Sequence, residues 1–283
     1  MKHFRQLKHL PTHFYLILGV IVLAFPVYFA LVGSTWDPGT IARGEMPLIP
    51  GRHAVENYLQ AWRTGSGERV MGAPVATMMS NSLFLALAIS VGKISISIIS
   101  AFAVVFFRFP GRMLFFWTIF ASLMLPVEVR IIPTFRIVAD LGLVNTYWGL
   151  TLPLIASATA TFLFRQFFLA IPDEMVEAAK MDGAGPLRFF LDIVLPISRT
   201  SIAALFVIMF VYGWNQFLWP LLMTTSRDMN TIVMGLVHMI GTGEAQTDWH
   251  IIMAATILAL LPPTVVVITM QKWFVKGLTE TEK

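Results

Sequence analysis

The chain has no cysteine, which removes disulfides, thiolate nucleophiles and Cys-bound metals together. Charge is scarce as well. Only 13% of its 283 residues are Asp, Glu, Lys or Arg, and 57% are hydrophobic. A soluble domain carries about a quarter charged residues. So few charges cannot cover a water-facing globule, and the apolar excess needs lipid as its solvent. Length alone would allow one or two soluble domains, but composition overrides that count. There is no G-x4-G-K-S/T phosphate loop, because Gly92-Lys93 lies inside a hydrophobic run and is followed by Ile94. The chain is therefore not itself an ATPase. No H-E-x-x-H and no His/Asp/Glu cluster is present, the six histidines are scattered, and no metal is expected. The net charge of +4 comes without a dense basic run, so nucleic acid is not an expected partner.

Six apolar stretches are long enough for a hydrocarbon core of about 30 Å. They are Phe14–Val32, Ser82–Phe107, Met113–Ile132, Trp148–Phe168, Ile202–Met223 and Ile251–Met270. The expectation is an all-α polytopic membrane protein, one transmembrane permease-like domain over 1–283. The first stretch follows Lys2, Arg5 and Lys8 as a signal peptide would. It is longer than a signal h-region, contains Pro26 and lacks a small-x-small cleavage site, so it reads as a retained helix. Lys and Arg in the short loops place both termini in the cytoplasm. Of the seven basic residues then left outside, Arg43, Arg52, Arg63 and Arg69 share one long loop, where the rule is weak, and Arg130, Arg136 and Arg227 lie elsewhere. Apart from Glu128 at an edge, the spans hold no Asp or Glu. That disfavours an ion-coupled secondary carrier, the chief competing class beside a membrane enzyme.

Three connections carry structure. The outer loop 34–77 is expected to be ordered, since Val55, Tyr58, Leu59 and Trp62 fall at helical spacing. Pro133–Tyr147 reads as a short interfacial helix. The inner loop 170–200 is the most informative. Pro172 suits a first helical position, and Asp173 and Glu174 then meet the positive end of the helix dipole. Met175, Val176 and Ala179 share one face, and Ala178 and Ala179 are small enough for close approach. Gly183 is expected to end the helix in a left-handed cap, Gly185-Pro186 to turn the chain, and a second helix to run from Leu187 and break at Pro196. Such a helix, braced at both ends, suits the transmission of a push from a cytoplasmic partner. An ordinary amphipathic loop helix fits the same pattern.

Glu177–Pro196 reads E-A-A-x3-G-x9-I-x-L-P. This resembles the EAA loop of binding-protein-dependent ABC transporter permeases, with Glu177, Ala178, Ala179, Gly183, Ile193, Leu195 and Pro196 all in place. Over nearly its whole length the chain is similar to the carbohydrate-type permeases of that family. The runs Leu123–Phe135, Leu150–Phe168, Glu177–Phe190 and Tyr212–Leu222 resemble most the permeases of sn-glycerol-3-phosphate uptake systems. The resemblance implies a type I ABC importer permease fold in a bacterial inner membrane. It implies docking of Glu177, Ala178 and Ala179 on an ATPase, and loop shaping by Gly183 and Pro196. Its implied partners are a second permease subunit, two ATPase subunits that bind ATP and Mg, and a periplasmic or extracellular substrate-binding protein. No cofactor is implied for this chain. Its implied substrate is sn-glycerol 3-phosphate, with glycerophosphodiesters as further candidates, against a neutral sugar or polyol as the alternative.

Several residues are candidates for a translocation path. Lys93 lies mid-span, where a charge costs about 3 kcal/mol or more. It either helps to pass an anion or pairs with a partner's carboxylate. Arg130 pairs with Glu128 or faces the path. Asn215, Gln216 and Tyr212 place amides and an aromatic late in the fifth span, either lining the path or joining an interfacial belt with Trp219. Arg165 is expected to snorkel. Ala86/Ser90 and Ser97/Ala101 are small-residue pairs suited to helix packing.

Overall fold

A computed structural model describes residues 10–66, 73–122, 125–240 and 247–279. The basic residues Lys2, Arg5, Lys8 and Arg69, named above, lie outside the described residues, as do Leu123, Met124 and Lys283. Among the described residues every regular element is helical. Two compact units divide the chain: Met1–Thr77 with Gly235–Leu261, and Met78–Met234 with Pro262–Lys283.

The first unit contains α1 (Leu10–Gly33), α2 (Pro38–Ala42) and α3 (Ala54–Arg63). Helix α1 has no charge and exposes large apolar side chains all round, from Phe14 to Leu31, as a lipid-facing span does. Residues after it fold back through polar contacts. Asn57, buried, donates to the Ser34 and Trp36 carbonyls at 2.9 and 2.8 Å. Tyr58 and Ser34 share a hydroxyl contact of 3.0 Å. Thr35 Oγ1 accepts the Gly51 amide at 2.6 Å. Asp37 caps α2, accepting the Thr40 amide and hydroxyl at 3.0 and 2.6 Å, and these bonds hold its pKa down at about 2. The helix expected from Val55, Tyr58, Leu59 and Trp62 is there as α3. Its buried residues, however, are Asn57 and Ala61, and Val55, Leu59 and Trp62 are exposed.

The second unit is built along α4 (Val75–Phe106), which supplies most of its residues there. After it come α5 (Arg112–Ala121), α6 (Val127–Asp140), α7 (Tyr147–Thr151, extended as a 3-10 turn to Leu154) and α8 (Ala158–Leu169). They are followed by α9 (Asp173–Met181), α10 (Pro186–Ile197), α11 (Arg199–Trp214) and α12 (Leu218–Met223). Helices α13 (Ile232–Met239) and α14 (Trp249–Thr279) complete the chain, each divided between the two units. One apolar cluster joins Leu85 and Ile89 of α4 to Ile131, Leu150, Trp219 and Met223. A second, rich in phenylalanine, joins Ile98 and Phe102 to Phe164, Phe168, Ala179, Phe189 and Val194. The small-residue pairs of α4 are buried, and a Cβ on Gly213 of α11 would stand 2.8 Å from the Ala86 Cα. Small residues at this crossing let two backbones touch. At the start of α4, Asn81 donates to the Asp228 and Asn230 carbonyls and accepts the Tyr147 hydroxyl at 2.7 Å, while Ser82 accepts the Ile232 amide.

Among the described residues three helices are long and apolar enough to cross a membrane, and up to five spans result if each bent pair counts once. The structure corrects several expected boundaries. The third span, Met113–Ile132, is not one helix: α5 ends at Ala121, and α6 begins after Pro126. A proline disfavours helix in the residue before it and supplies no N–H. Helix α6 thus starts before Pro133 and carries it inside, instead of beginning there as an interfacial helix. The fourth span bends by 45° between Leu154 and Ala158, with Ser157 capping α8. The fifth is interrupted at Asn215–Phe217.

Candidate functional site

Helix α9 carries the motif residues. Asp173 and Glu174 occupy its first turn, one position later than Pro172, which precedes the helix. Its end is a Schellman arrangement. The Gly183 amide donates to the Lys180 carbonyl at 3.0 Å and the Ala184 amide to the Ala179 carbonyl at 2.9 Å. Gly183 takes φ +71°, as the spacing predicts. Gly185 is extended and leads into Pro186 at the first turn of α10. Ala179 is buried against the phenylalanine cluster, with Val176 and Ala184 packed beside it. Glu177 and Ala178 are exposed, as is Met181 at 83%. Ala179 thus faces its own chain, and Glu177 and Ala178 face outward. Ile193 and Leu195 pack against the same cluster.

The second helix ends at Ile197, one residue past Pro196, close to the break expected before the fifth span. Over Phe190–Val194 the helix widens to a π-turn, with the Leu195 amide bonded to the Phe190 carbonyl. The extra residue in the turn moves the backbone that a proline ring would strike, so α10 continues to Ile197. The chain then bends by 71° into α11. Exposed Arg188 and Asp192 pair at 3.3 Å across one turn of α10. Beside α9 lies a groove of about 510 Å³ lined in part by Arg108, Arg112, Asp173, Val176 and Lys180. Nothing in the sequence joins Arg108 and Arg112 to Lys180. Only contact between the end of α4 and α9 brings them together.

The path candidates converge in part. Lys93 is buried at 7% exposure, and its Nζ stands 3.7 Å from the centroid of the Tyr212 ring. Tyr212, Gln216, Arg130 and Thr134 line a cavity of about 110 Å³. Gln216 donates to the Tyr212 carbonyl at 3.1 Å, and Asn215 to the Val211 carbonyl at 3.0 Å. Asn215 is not among the residues of this cavity. The Glu128 side chain lies outside the described residues. Two expectations are corrected. Trp219 is no belt residue: it is buried, and its Nε1 donates to the Gly149 carbonyl at 3.1 Å. Arg165 does not simply snorkel, because its guanidinium lies 4.2 Å over the Phe116 ring with Nε buried and unbonded. Sequence reasoning also missed Asn145. It takes φ +60° and accepts the Thr225 and Ser226 amides at 3.2 and 3.1 Å, a role that the Asn preference for left-handed turns hints at.

Residues 93–280 match the model of the family described as "Binding-protein-dependent transport system inner membrane component". Relatives of similar length align almost end to end. The sn-glycerol-3-phosphate transport system permease protein UgpE of Brucella melitensis is 58% identical over 279 residues, covering 99% of each chain. That of Agrobacterium fabrum is 57% identical over 279 residues, with the same coverage. That of Yersinia pestis is 55% identical over 271 residues, covering 96% of each. Among solved structures, a bacterial ABC transporter involved in the import of the acidic polysaccharide alginate has a chain that superposes with a TM-score of 0.82. It covers 95% of this chain and 97% of its own at 18% identity, a likeness of fold.

Proposed function

Because the chain belongs to the family of binding-protein-dependent transport system inner membrane components, we propose that it is one permease subunit of an ATP-driven importer for sn-glycerol 3-phosphate. The near full-length identity of 55–58% to permeases named for that substrate carries the reading. A second permease subunit completes the path, two ATPase subunits bind ATP and Mg, and a binding protein delivers substrate from outside. This chain performs no hydrolysis. Both its termini face the cytoplasm, in keeping with the basic short loops.

Helix α9 is the coupling element. Its outward residues Glu177 and Ala178 meet the ATPase, and the buried Ala179 seats the helix on the phenylalanine cluster. Gly183 and the Gly185-Pro186 elbow hold one end, so the helix moves as a piece when ATP closes the ATPase pair. The push then passes through Phe189 and Phe102 into α4, rings whose centroids are 6.2 Å apart.

The test is uptake into proteoliposomes that hold this chain, its partner permease, the ATPase and the binding protein. Labelled sn-glycerol 3-phosphate accumulates on addition of ATP, and labelled maltose does not. Accumulation of the neutral sugar instead would retract the substrate. Glu177→Lys is expected to lower ATPase co-purification at least about tenfold, the effect of roughly 1.4 kcal/mol, without changing membrane insertion. Undiminished co-purification would count against the coupling role.

A further inference from the structure

We infer that Arg130, Lys93 and Tyr212 form a phosphate-reading station in this chain, so that the importer's recognition of its anionic substrate does not reside in the partner permease alone. The inference rests on the importer reading above. Lys93 is buried midway along α4, and neither it nor Arg130 pairs with a carboxylate among the described side chains. Arg130 lines a cavity together with Tyr212, the residue whose ring faces the Lys93 ammonium, so the two cations share one neighbour. A buried ammonium without a counter-ion is costly, and a second cation nearby raises the cost. An anion entering between them relieves both.

Tyr212 links the two cations. Its ring holds the Lys93 ammonium at 3.7 Å, and the same side chain lines the cavity that Arg130 and Thr134 also line. The cavity holds about 110 Å³, several times the ~30 Å³ that one water occupies in the liquid, room for a phosphate-sized group. Arginine offers a planar fork that matches phosphate oxygens, and lysine a compact point charge on a flexible stem. The ring face receives the ammonium but supplies no counter-charge. A phosphate held by Arg130 in the cavity that Tyr212 also lines would offer the ammonium a charged partner across the same ring. A soluble phosphate monoester and a lipid headgroup share this chemistry. The free substrate is favoured here because the cavity lies among α6, α7, α11 and α12, lined by Arg130, Pro153, Gln216 and Trp219, the last of them buried.

The experiment is ATP-driven uptake of labelled sn-glycerol 3-phosphate by the whole importer, with ATPase co-purification as the check on assembly. Liposomes are made once from phosphatidylcholine alone and once with phosphatidylglycerol. Lys93→Gln and Arg130→Gln are each expected to lower uptake about tenfold, the loss of one charge-assisted bond. Lys93→Arg is expected to restore it to within about threefold, and Tyr212→Leu, which removes the ring under the ammonium, to lower it. Should Lys93→Gln not assemble, the exposed Arg130→Gln decides. Wild-type uptake in both glutamine variants would overturn the inference and leave the importer reading intact. Unchanged uptake with loss of bound phosphatidylglycerol would overturn it in favour of a lipid site. A wild-type importer that carries a neutral polyol and no sn-glycerol 3-phosphate would overturn both.

Discussion

Two glycines at the end of α9 should respond to alanine in opposite directions. Gly183 has φ +71° and Gly185 has φ −68°, and nothing lies within 4 Å of a Cβ built on either. Sterics with neighbours therefore cancel, and only the local backbone differs. A left-handed residue with a Cβ costs about 1–2 kcal/mol. Alanine also removes unfolded-state freedom, a gain of about 0.4–1 kcal/mol at a compatible site. The net for Gly183→Ala is a loss of roughly 1 kcal/mol, or about fivefold in the opening equilibrium of the cap. For Gly185→Ala only the gain remains. The amides that report this are those of Gly183 and Ala184, bonded to the Lys180 and Ala179 carbonyls. Hydrogen exchange of the assembled importer, read by mass spectrometry, should show their protection lowered about fivefold by Gly183→Ala and kept or raised by Gly185→Ala. Gly183→Asn should fall between, since Asn tolerates the left-handed region. Unchanged protection in Gly183→Ala, or equal losses in the two alanine variants, would refute the assignment of the cap as a backbone constraint.

Gly213→Ala should destabilise the importer by about 1–3 kcal/mol, as overpacking does, because the Cβ meets the Ala86 backbone at 2.8 Å and a backbone cannot swing aside; Gly19→Ala, with open space around it, is the thermal-melting control. Trp219→Phe should cost about 1 kcal/mol or more in the same melt, since it strands the buried Gly149 carbonyl that Nε1 now satisfies. The Asp37 carboxyl has a folded pKa depressed from 3.8 to about 2, so its cap is fully present above pH 3.8 and lost as pH falls through about 2. Exchange of the Thr40 amide should accelerate relative to its intrinsic rate across that window, and in Asp37→Asn the step should vanish.

What was legible in the sequence was mostly local. The end of α9 was readable because a Gly at a cap, a Gly-Pro elbow and an apolar face act within a few residues of one another. The same locality let Ala86 and Ser90 be assigned to packing. Interruptions of the spans were less legible. Pro126 stands in a run apolar enough to pass as continuous, yet the described helices stop at Ala121 and resume at Val127, directly after it. Pro196 marked the break before α11 closely, although a π-turn just before it carries the helix on to Ile197. Periodicity found α3 but could not tell which face is covered. Polar Asn57, with its two carbonyl partners, turned inward in place of Val55 and Leu59. The exposure of Trp219 was misjudged because its partner, Gly149, lies 70 residues away. Lys93 showed itself as an oddity of composition, and its neighbour Tyr212 came only with the fold.

Asn81 binds carbonyls that lie 147 and 149 residues further along the chain. At a synthesis rate of about 5–20 residues per second, on the order of ten seconds separate the two on the ribosome. The first residues of α4 therefore enter the bilayer with a side-chain amide still unanswered, and the clasp with Asp228, Asn230 and Tyr147 closes late in biogenesis. A chain released before Asp228 would leave that amide open to quality control, and so would carry its own mark of incompleteness.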